Sequence, residues 1–204
     1  MGAGALAAVA SALEVWWLAW PLWAAGVMAA VFFRDPPRSY DGPPGDVLSP
    51  ADGRVVEVVK TSHPALGPEN GWKIAIFMNI FNVHVNRIPV AGQVEDVRYY
   101  PGGYMPADRP EAAVANEHLE VIIRTPEGHK VVVVQVAGLV ARRIECELLP
   151  GDRVVRGERY GMIRLGSRLE VVVPAGSRVV VGEGAKVKAG QSVIAKLAQL
   201  LPEG

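Results

Sequence analysis

The stretch with the most chemistry in it is residues 76–92, IFMNIFNVHVNRIPVAG, an apolar run broken by Asn79, Asn82, His84, Asn86 and Arg87. Side chains alternate faces along a strand, so Asn82, His84 and Asn86 share one. Three polar groups in a row within an apolar segment need partners. They form either a satisfied structural network or a site around the side chain that titrates nearest neutrality, and the pattern leaves both open. Asp52 lies in SPADGRV, residues 49–55, where Pro-Ala-Asp-Gly reads as a turn before a strand. A carboxylate there gains a second use only if folding brings it to a histidine, whose orientation and charged form it can support. Leu165-Gly166-Ser167 leads into RLEVVVP. Composition makes it a tight turn, and no G-x-S-x-G elbow surrounds it. A serine directly after a glycine nevertheless faces an unhindered carbonyl that its hydroxyl can attack. His63, beside Pro64, and His129, in a PEGHK turn, are predicted to be exposed and inert.

These residues sit in a chain of 204 residues with 50% hydrophobic content, 21 Lys+Arg and 21 Asp+Glu. Such a composition excludes a disordered chain and lacks the basic footprint of a nucleic-acid binder. The single cysteine, Cys146, excludes a disulfide framework and a Cys-rich zinc site. It is expected to be reduced and in or near the core.

The first 33 residues differ from the rest. Glu14 is their only ionisable side chain, and residues 15–33 carry no charge. About 20 apolar residues suffice for a helix to cross a bilayer. Trp16, Trp17, Trp20 and Trp23 cluster toward one end, as indoles do at a headgroup interface. Pro21 is predicted to bend or break a helix there. Arg34 and Arg38 follow at once, which puts the remainder at the cell membrane on its cytoplasmic side. A spanning helix and a re-entrant hairpin in one leaflet both fit. A secretory signal does not, because no basic region leads the segment and its apolar part is too long.

Residues 34–46 hold four prolines and two glycines and read as a stiff linker. From residue 47 to 204 short Val/Ile-rich runs alternate with Gly, Pro, Asp and Asn. That is the pattern of a mainly β domain, a sandwich or barrel, with helix expected only around 193–201 and 112–116. Residues 151–158 and 184–191 both fit G-x-x-V-x-x-G-[EQ]. Each is predicted to make glycine-shaped turns of a lipoyl-like hairpin, giving two related β units.

Together FFRDPPR (32–38), SPADGRV (49–55), IFMNIFNVHVNRIPVAG (76–92), ANE (115–117) and GERYGMIRLGSRLEVVVP (157–174) resemble the phosphatidylserine decarboxylase family in its short prokaryotic form. The pieces run in family order. The family's Gly-Ser signature is matched by Gly166-Ser167, followed here by Arg168. A second histidine found in longer relatives before the one matched by His84 is missing. The resemblance implies a proenzyme that cuts itself between Gly166 and Ser167 into a β chain (1–166) and an α chain (167–204). Ser167 becomes a pyruvoyl group, which forms a Schiff base with the serine headgroup and releases carbon dioxide, giving phosphatidylethanolamine. It implies no metal and no pyridoxal phosphate. His84 is the expected base and acid, and Asp52 the group that orients it. Asn116, Glu117, Arg142 and Arg143 are candidates for substrate contacts, with Arg34 and Arg38 for anionic phosphates. The partner is phosphatidylserine in the membrane, the αβ heterodimer comes from one proenzyme, and a dimer of heterodimers is left open.

Three other readings compete. The same chemistry on archaetidylserine, an ether lipid, would use a similar headgroup site. A non-enzymatic, membrane-tethered lipoyl-like domain would leave Gly166-Ser167 and the Asn82-His84-Asn86 face unexplained. A soluble pyruvoyl amino-acid decarboxylase would have no use for the apolar leader.

Overall fold

Alternating Val and Ile between turn residues gives the strands that dominate the molecule. The computed structural model describes residues 16–67, 70–105, 115–138, 144–163 and 167–198, and before them only positions 2, 4, 5, 8 and 9. The chain divides into two units, Met1–Pro36 and Pro37–Gly204.

The first unit holds helix α1 (Trp16–Phe32), which carries no charged residue. Pro21 lies inside it, near its start, so the helix runs through the residue expected to break it. At this sixth position the missing N–H would have bonded Trp17 O, so the helix continues with that one backbone bond forfeited. Trp17, Trp20, Trp23, Val27, Met28 and Val31 are exposed. The helix has 17 residues. At about 1.5 Å per residue it covers roughly 25 Å, against about 30 Å for a bilayer's hydrocarbon core. Among the described residues no helix is long and apolar enough to cross a membrane.

The second unit is built from strands β1 (Asp46–Leu48), β2 (Gly53–Ser62), β3 (Asn70–Met78), β4 (Val85–Arg87), β5 (Gly92–Tyr100), β6 (His118–Arg124), β7 (Lys130–Val136), β8 (Ile144–Cys146), β9 (Arg153–Val154), β10 (Arg159–Ile163), β11 (Ser167–Pro174), β12 (Arg178–Val179), β13 (Lys186–Val187) and β14 (Val193–Lys196). They form an eight-stranded sheet ordered β13-β2-β3-β11-β7-β6-β5-β9 and two three-stranded sheets, β1-β14-β12 and β4-β10-β8. Strand period sorts the residues by face. Leu169, Val171 and Val173 of β11 join Ile74, Ile76, Val121, Ile123, Val131 and Val133 in the main core. Val172 joins Ile122, Val132, Val134 and Val136 in a smaller cluster.

The predicted echo is a structural repeat. Gly151, Gly157, Gly184 and Gly190 all have positive φ, at 98°, 83°, 85° and 68°. The Gly151 and Gly184 N–H groups donate to Val94 O and Val55 O, each at 2.8 Å. Those of Gly157 and Gly190 donate to Ile88 O and Ser49 O, again at 2.8 Å. β9 then pairs with β5 as β13 pairs with β2. The large sheet therefore reads alike from both edges, and its two middle strands, β7 and β11, are counterparts.

The helix expected at 193–201 is not formed. Residues 193–196 are strand β14, between β1 and β12, and β-branched Val193 and Ile194 favour that state. Residues 199–204 lie outside the described part, as do 112–114 of the other expected helix; of its remaining residues Ala115 is helical and Asn116 bridges to Gly103. The second half of the Pro-rich segment is fastened to the β unit. The Arg156 guanidinium donates to the carbonyls of Gly42 (2.6 Å) and Asp46 (3.1 Å) and lies 4.9 Å over the Tyr40 ring.

Two glycines should respond differently to alanine. At Gly184 the space is open but φ is +85°, so Gly184→Ala should cost about 1–2 kcal/mol of backbone strain. At Gly161 an added Cβ would lie 2.1 Å from Glu145 O, so β10 must part from β8. Gly161→Ala should cost more, about 3 kcal/mol, at the upper end for overpacking. Urea unfolding of the two variants checks the order.

Candidate active site

Ser167 and His84 stand at strand ends, Ser167 opening β11 and His84 directly preceding β4. Met78, the last residue of β3, pairs with Ser167, the first of β11. Val85, which opens β4, pairs with Met162 near the end of β10. The chain thus leaves one of these sheets for the other twice, between β3 and β4 and between β10 and β11. His84 ends the first passage and Ser167 ends the second. Both residues are fully buried. Ser167 has the strand parity of Leu169, so its side chain faces the main core. Its hydroxyl makes no hydrogen bond among the described residues. A buried hydroxyl in that condition is costly, by about 1–3 kcal/mol.

His84 Nδ1 lies 2.9 Å from Asn82 O. A carbonyl only accepts, so Nδ1 carries the proton and Nε2 of the neutral ring holds the lone pair. The shared face of Asn82, His84 and Asn86 is partly a structural network. Asn86 Oδ1 accepts from Gln135 Nε2 at 2.9 Å, and Asn86 Nδ2 lies 3.9 Å from Met78 Sδ. Gln135 is opposite Leu169 on β11. These groups support the strand ends that carry Met78 and Ser167. Gln135 carried no sequence signal, since it interrupts a valine run with one polar residue.

Asp52 belongs to a turn whose backbone runs beside β4. Leu48 N donates to Pro89 O and Arg87 N to Pro50 O, both at 2.9 Å. Beyond Pro50 the chain bends, and Asp52 follows two residues later, just before β2. Its carboxylate is held from elsewhere. Oδ2 accepts from Arg38 Nη2 at 2.8 Å, and Oδ1 accepts from Ala189 N at 2.8 Å and from Arg38 Nη1. Arg38 Nη1 also donates to Ala189 O at 2.8 Å. The ring contact that fixes His84 Nδ1 is therefore its neighbour's carbonyl, while Asp52 joins Arg38 to the turn before Gly190. Arg38 was expected at lipid phosphates. It is instead buried against a carboxylate.

A family model for phosphatidylserine decarboxylase matches residues 27–195, a span that includes Asp52, His84 and Ser167. The chain belongs to the phosphatidylserine decarboxylase family. Among its relatives is the phosphatidylserine decarboxylase proenzyme of Nitrosomonas eutropha, 47% identical over 195 residues, 96% of this chain and 90% of the relative. That of Burkholderia mallei is 48% identical over 180 residues, 88% and 83% of the two chains. The protein is accordingly an enzyme, a carboxy-lyase of phospholipid synthesis, and its relatives are named as proenzymes.

The remaining residues expected to serve a phosphatidylserine decarboxylase fall in different places. Gly166, Arg142 and Arg143 lie outside the described residues. Asn116 is buried, and both its N–H groups are used, toward Met105 O and Ala137 O at 2.8 Å each. Its Oδ1 accepts from Met105 N at 2.7 Å, so its bonds tie two backbone segments together. Glu117 Oε2 accepts from the Tyr104 hydroxyl at 2.6 Å. Arg34 donates to Val31 O at the end of α1. His129, predicted exposed, is buried with Nε2 2.7 Å from Ala198 O. His63, also predicted exposed, is half-buried: Nδ1 accepts from Ala65 N and Nε2 lies 3.3 Å from Glu120 Oε1. Cys146 is half-buried, and burial pushes its thiol pKa up. Among the described residues no group of three or more His, Cys, Asp or Glu could hold a metal ion.

One feature with no sequence signal stands directly behind Ser167. The Arg168 guanidinium is fully buried on the opposite face, donating to Glu170 Oε1 at 2.7 Å and to Glu57 on β2. Lys73 Nζ completes the cluster, 3.1 Å from Glu57 and 3.9 Å from Glu170. Burial alone would raise the Glu57 carboxyl, but its bonds to Arg168 and Lys73 outweigh that and hold it below its ordinary 4.5. The unfolded chain therefore takes up this proton first on acidification. The stabilisation is complete above the unfolded pKa and is lost as pH falls through the lower folded value. Glu57→Gln should flatten the acid limb of a stability-pH curve below about pH 4.5. Arg168→Ala, which leaves two buried carboxylates with Lys73 alone, should destabilise by about 3 kcal/mol in thermal or urea unfolding.

Proposed function

We propose that this phosphatidylserine decarboxylase cuts its own chain between Gly166 and Ser167 and turns residue 167 into the pyruvoyl group that its reaction requires. The observation that carries the reading is the Ser167 hydroxyl, buried without a hydrogen-bond partner among the described residues, at the first position of a strand gripped on both sides. A nucleophile held ready for the carbonyl before it needs that isolation, and also a base, because a serine hydroxyl is a poor nucleophile near neutrality. His84 is the proposed base, acting through Nε2. Asp52, itself held by Arg38 and the Ala189 N–H, is its proposed electrostatic support.

In the proposed cleavage Ser167 Oγ gives its proton to His84 and attacks the Gly166 carbonyl carbon. The C–N bond breaks, the Ser167 nitrogen takes a proton, and an ester replaces the amide. Removal of the Ser167 Cα proton then expels the Gly166 carboxylate and leaves dehydroalanine. Water converts this to a ketone and ammonia. The products are chains of residues 1–166 and 167–204.

The site fits the group. It is made from residue 167 itself and needs no further ligand. Pairing of Arg168, Leu169 and Glu170 to β3 and β7 holds the new terminus where the hydroxyl had been. A pyruvoyl group at residue 167 would supply a ketone for the serine amine of the headgroup and an electron sink for decarboxylation. His84 then holds the proton that the substrate α-carbon must receive. The proposed assembly is the αβ pair from one proenzyme. We also infer that the apolar leader, with α1, keeps the enzyme at the bilayer on its cytoplasmic side, because removing a two-tailed lipid from a membrane costs about 0.8 kcal/mol per CH₂.

Denaturing mass spectrometry tests the cleavage. Wild type should give two chains, the smaller refractory to Edman degradation because it has no amine. Ser167→Ala should remain one chain of 21.8 kDa without activity. His84→Ala should stop maturation, and Asp52→Asn should slow it by about 10²-fold or more, on the scale of losing a general base. An active wild type consisting of one uncut chain overturns the reading.

A further inference from the structure

The passage from β3 to His84 turns at a tip that carries two large, exposed apolar side chains. Ile80 is 45% exposed and Phe81 69%. The turn beneath them is fastened by its own asparagines. Asn79 N donates to Asn82 Oδ1 and Phe81 N to Asn79 Oδ1, both at 2.9 Å, and Asn82 N donates to Asn79 O at 3.1 Å. Apolar side chains on so firmly tied a turn are presented rather than left over. The tip also sits at the site. Asn79 follows Met78, the pairing partner of Ser167, and His84 is three residues beyond Phe81.

A second observation places more aromatic surface at the same end of the sheet. One row crosses it from Phe77 through Arg168, Val136 and His118 to Tyr100. Tyr100 is 37% exposed and stacks on His118 at 4.7 Å, and Tyr99 beside it is 57% exposed. Tyrosine rings favour the headgroup level of a bilayer, and fully apolar side chains favour the acyl boundary beneath it.

We propose that the Ile80–Phe81 tip is a membrane-docking element, inserted into the bilayer surface beside the site, with Tyr99 and Tyr100 at headgroup level. The occupant is a lipid surface because the family's substrate is a lipid that stays in one. Dimensions agree. Three extended residues reach at most about 10 Å, and each polar headgroup layer is roughly 5–8 Å deep. With Phe81 at the acyl boundary, His84 stands at the height of the headgroup, so the serine need not leave the membrane to reach residue 167.

The proposal rests on the decarboxylase reading, and its test keeps the two apart. The full-length Ile80→Ser/Phe81→Ser protein is compared with wild type on phosphatidylserine in phosphatidylcholine vesicles and on dissolved dibutyryl phosphatidylserine. Maturation into two chains, followed by mass spectrometry, should be unchanged. Turnover of the dissolved substrate should stay within about twofold, while turnover on vesicles should fall at least about tenfold. Equal losses on both substrates, or no loss on vesicles, overturn the proposal. Failure of wild type itself to mature overturns the cleavage mechanism and leaves the docking readout below intact. A nitroxide on Phe81→Cys, in a Cys146→Ser background, gives a readout independent of activity. On the same vesicles it should gain collisions with oxygen and lose them with a water-soluble nickel complex. Unchanged nickel access overturns the proposal, as does nitroxide–nitroxide broadening without vesicles, which would mark the tip as a contact between two copies of the chain.

Discussion

The pairing of β11 between β3 and β7 is the constraint on which the site depends. Ser167 is the first residue of that strand and is matched to Met78, while Arg168 is matched on both sides, to Phe77 and Val136. A reacting group at the start of a middle strand keeps its neighbours whatever happens to the residue before it. The strand's two faces divide the work. Ser167 faces the core beside the Asn86–Gln135 network, and Arg168 is locked behind it by carboxylates on β2 and on β11 itself. Preorganisation here comes from strand register before any side-chain bond at the reacting atoms.

Much of the β architecture was legible in the sequence because strand alternation and glycine turns are local signals. The G-x-x-V-x-x-G echo pointed to paired turns, and its four glycines all have positive φ. The stretch misread at 193–201 was short and apolar, and there periodicity cannot separate helix from strand; β14 is settled by neighbours more than a hundred residues away in β1. The candidate site could be named from the sequence as residues and not as contacts. Ser167, His84 and Asp52 were named as candidates by type and by the family resemblance, but the contacts of Arg38 and Asp52 with Ala189 depend on chain crossings that no spacing encodes. The two histidines expected at the surface were misjudged for the same reason, since a backbone carbonyl or a glutamate from a distant strand covers each.

Arg38 connects the two halves of the sequence's logic. It comes from the Pro-rich segment that follows the apolar leader, yet its guanidinium is held by Asp52 and the Ala189 carbonyl in the turns near β4. Arg156 fixes the next few residues in the same way. The β unit's own ties therefore begin within a few residues of its first residue, Pro37.

The internal repeat has a consequence for how the molecule lives after processing. β7 and β11 are counterparts at the middle of the sheet, but only β11 lies beyond the proposed break, together with β12, β13 and β14. A severed fragment that supplies a central strand, one edge and two strands of a second sheet has no way to slip out while the rest stays folded. Before the cut, folding is a one-body problem that any dilute copy can repeat. After it, recovery from denaturation is an encounter between two chains and slows with dilution, so each molecule is set to fold once and then endure by the height of its unfolding barrier.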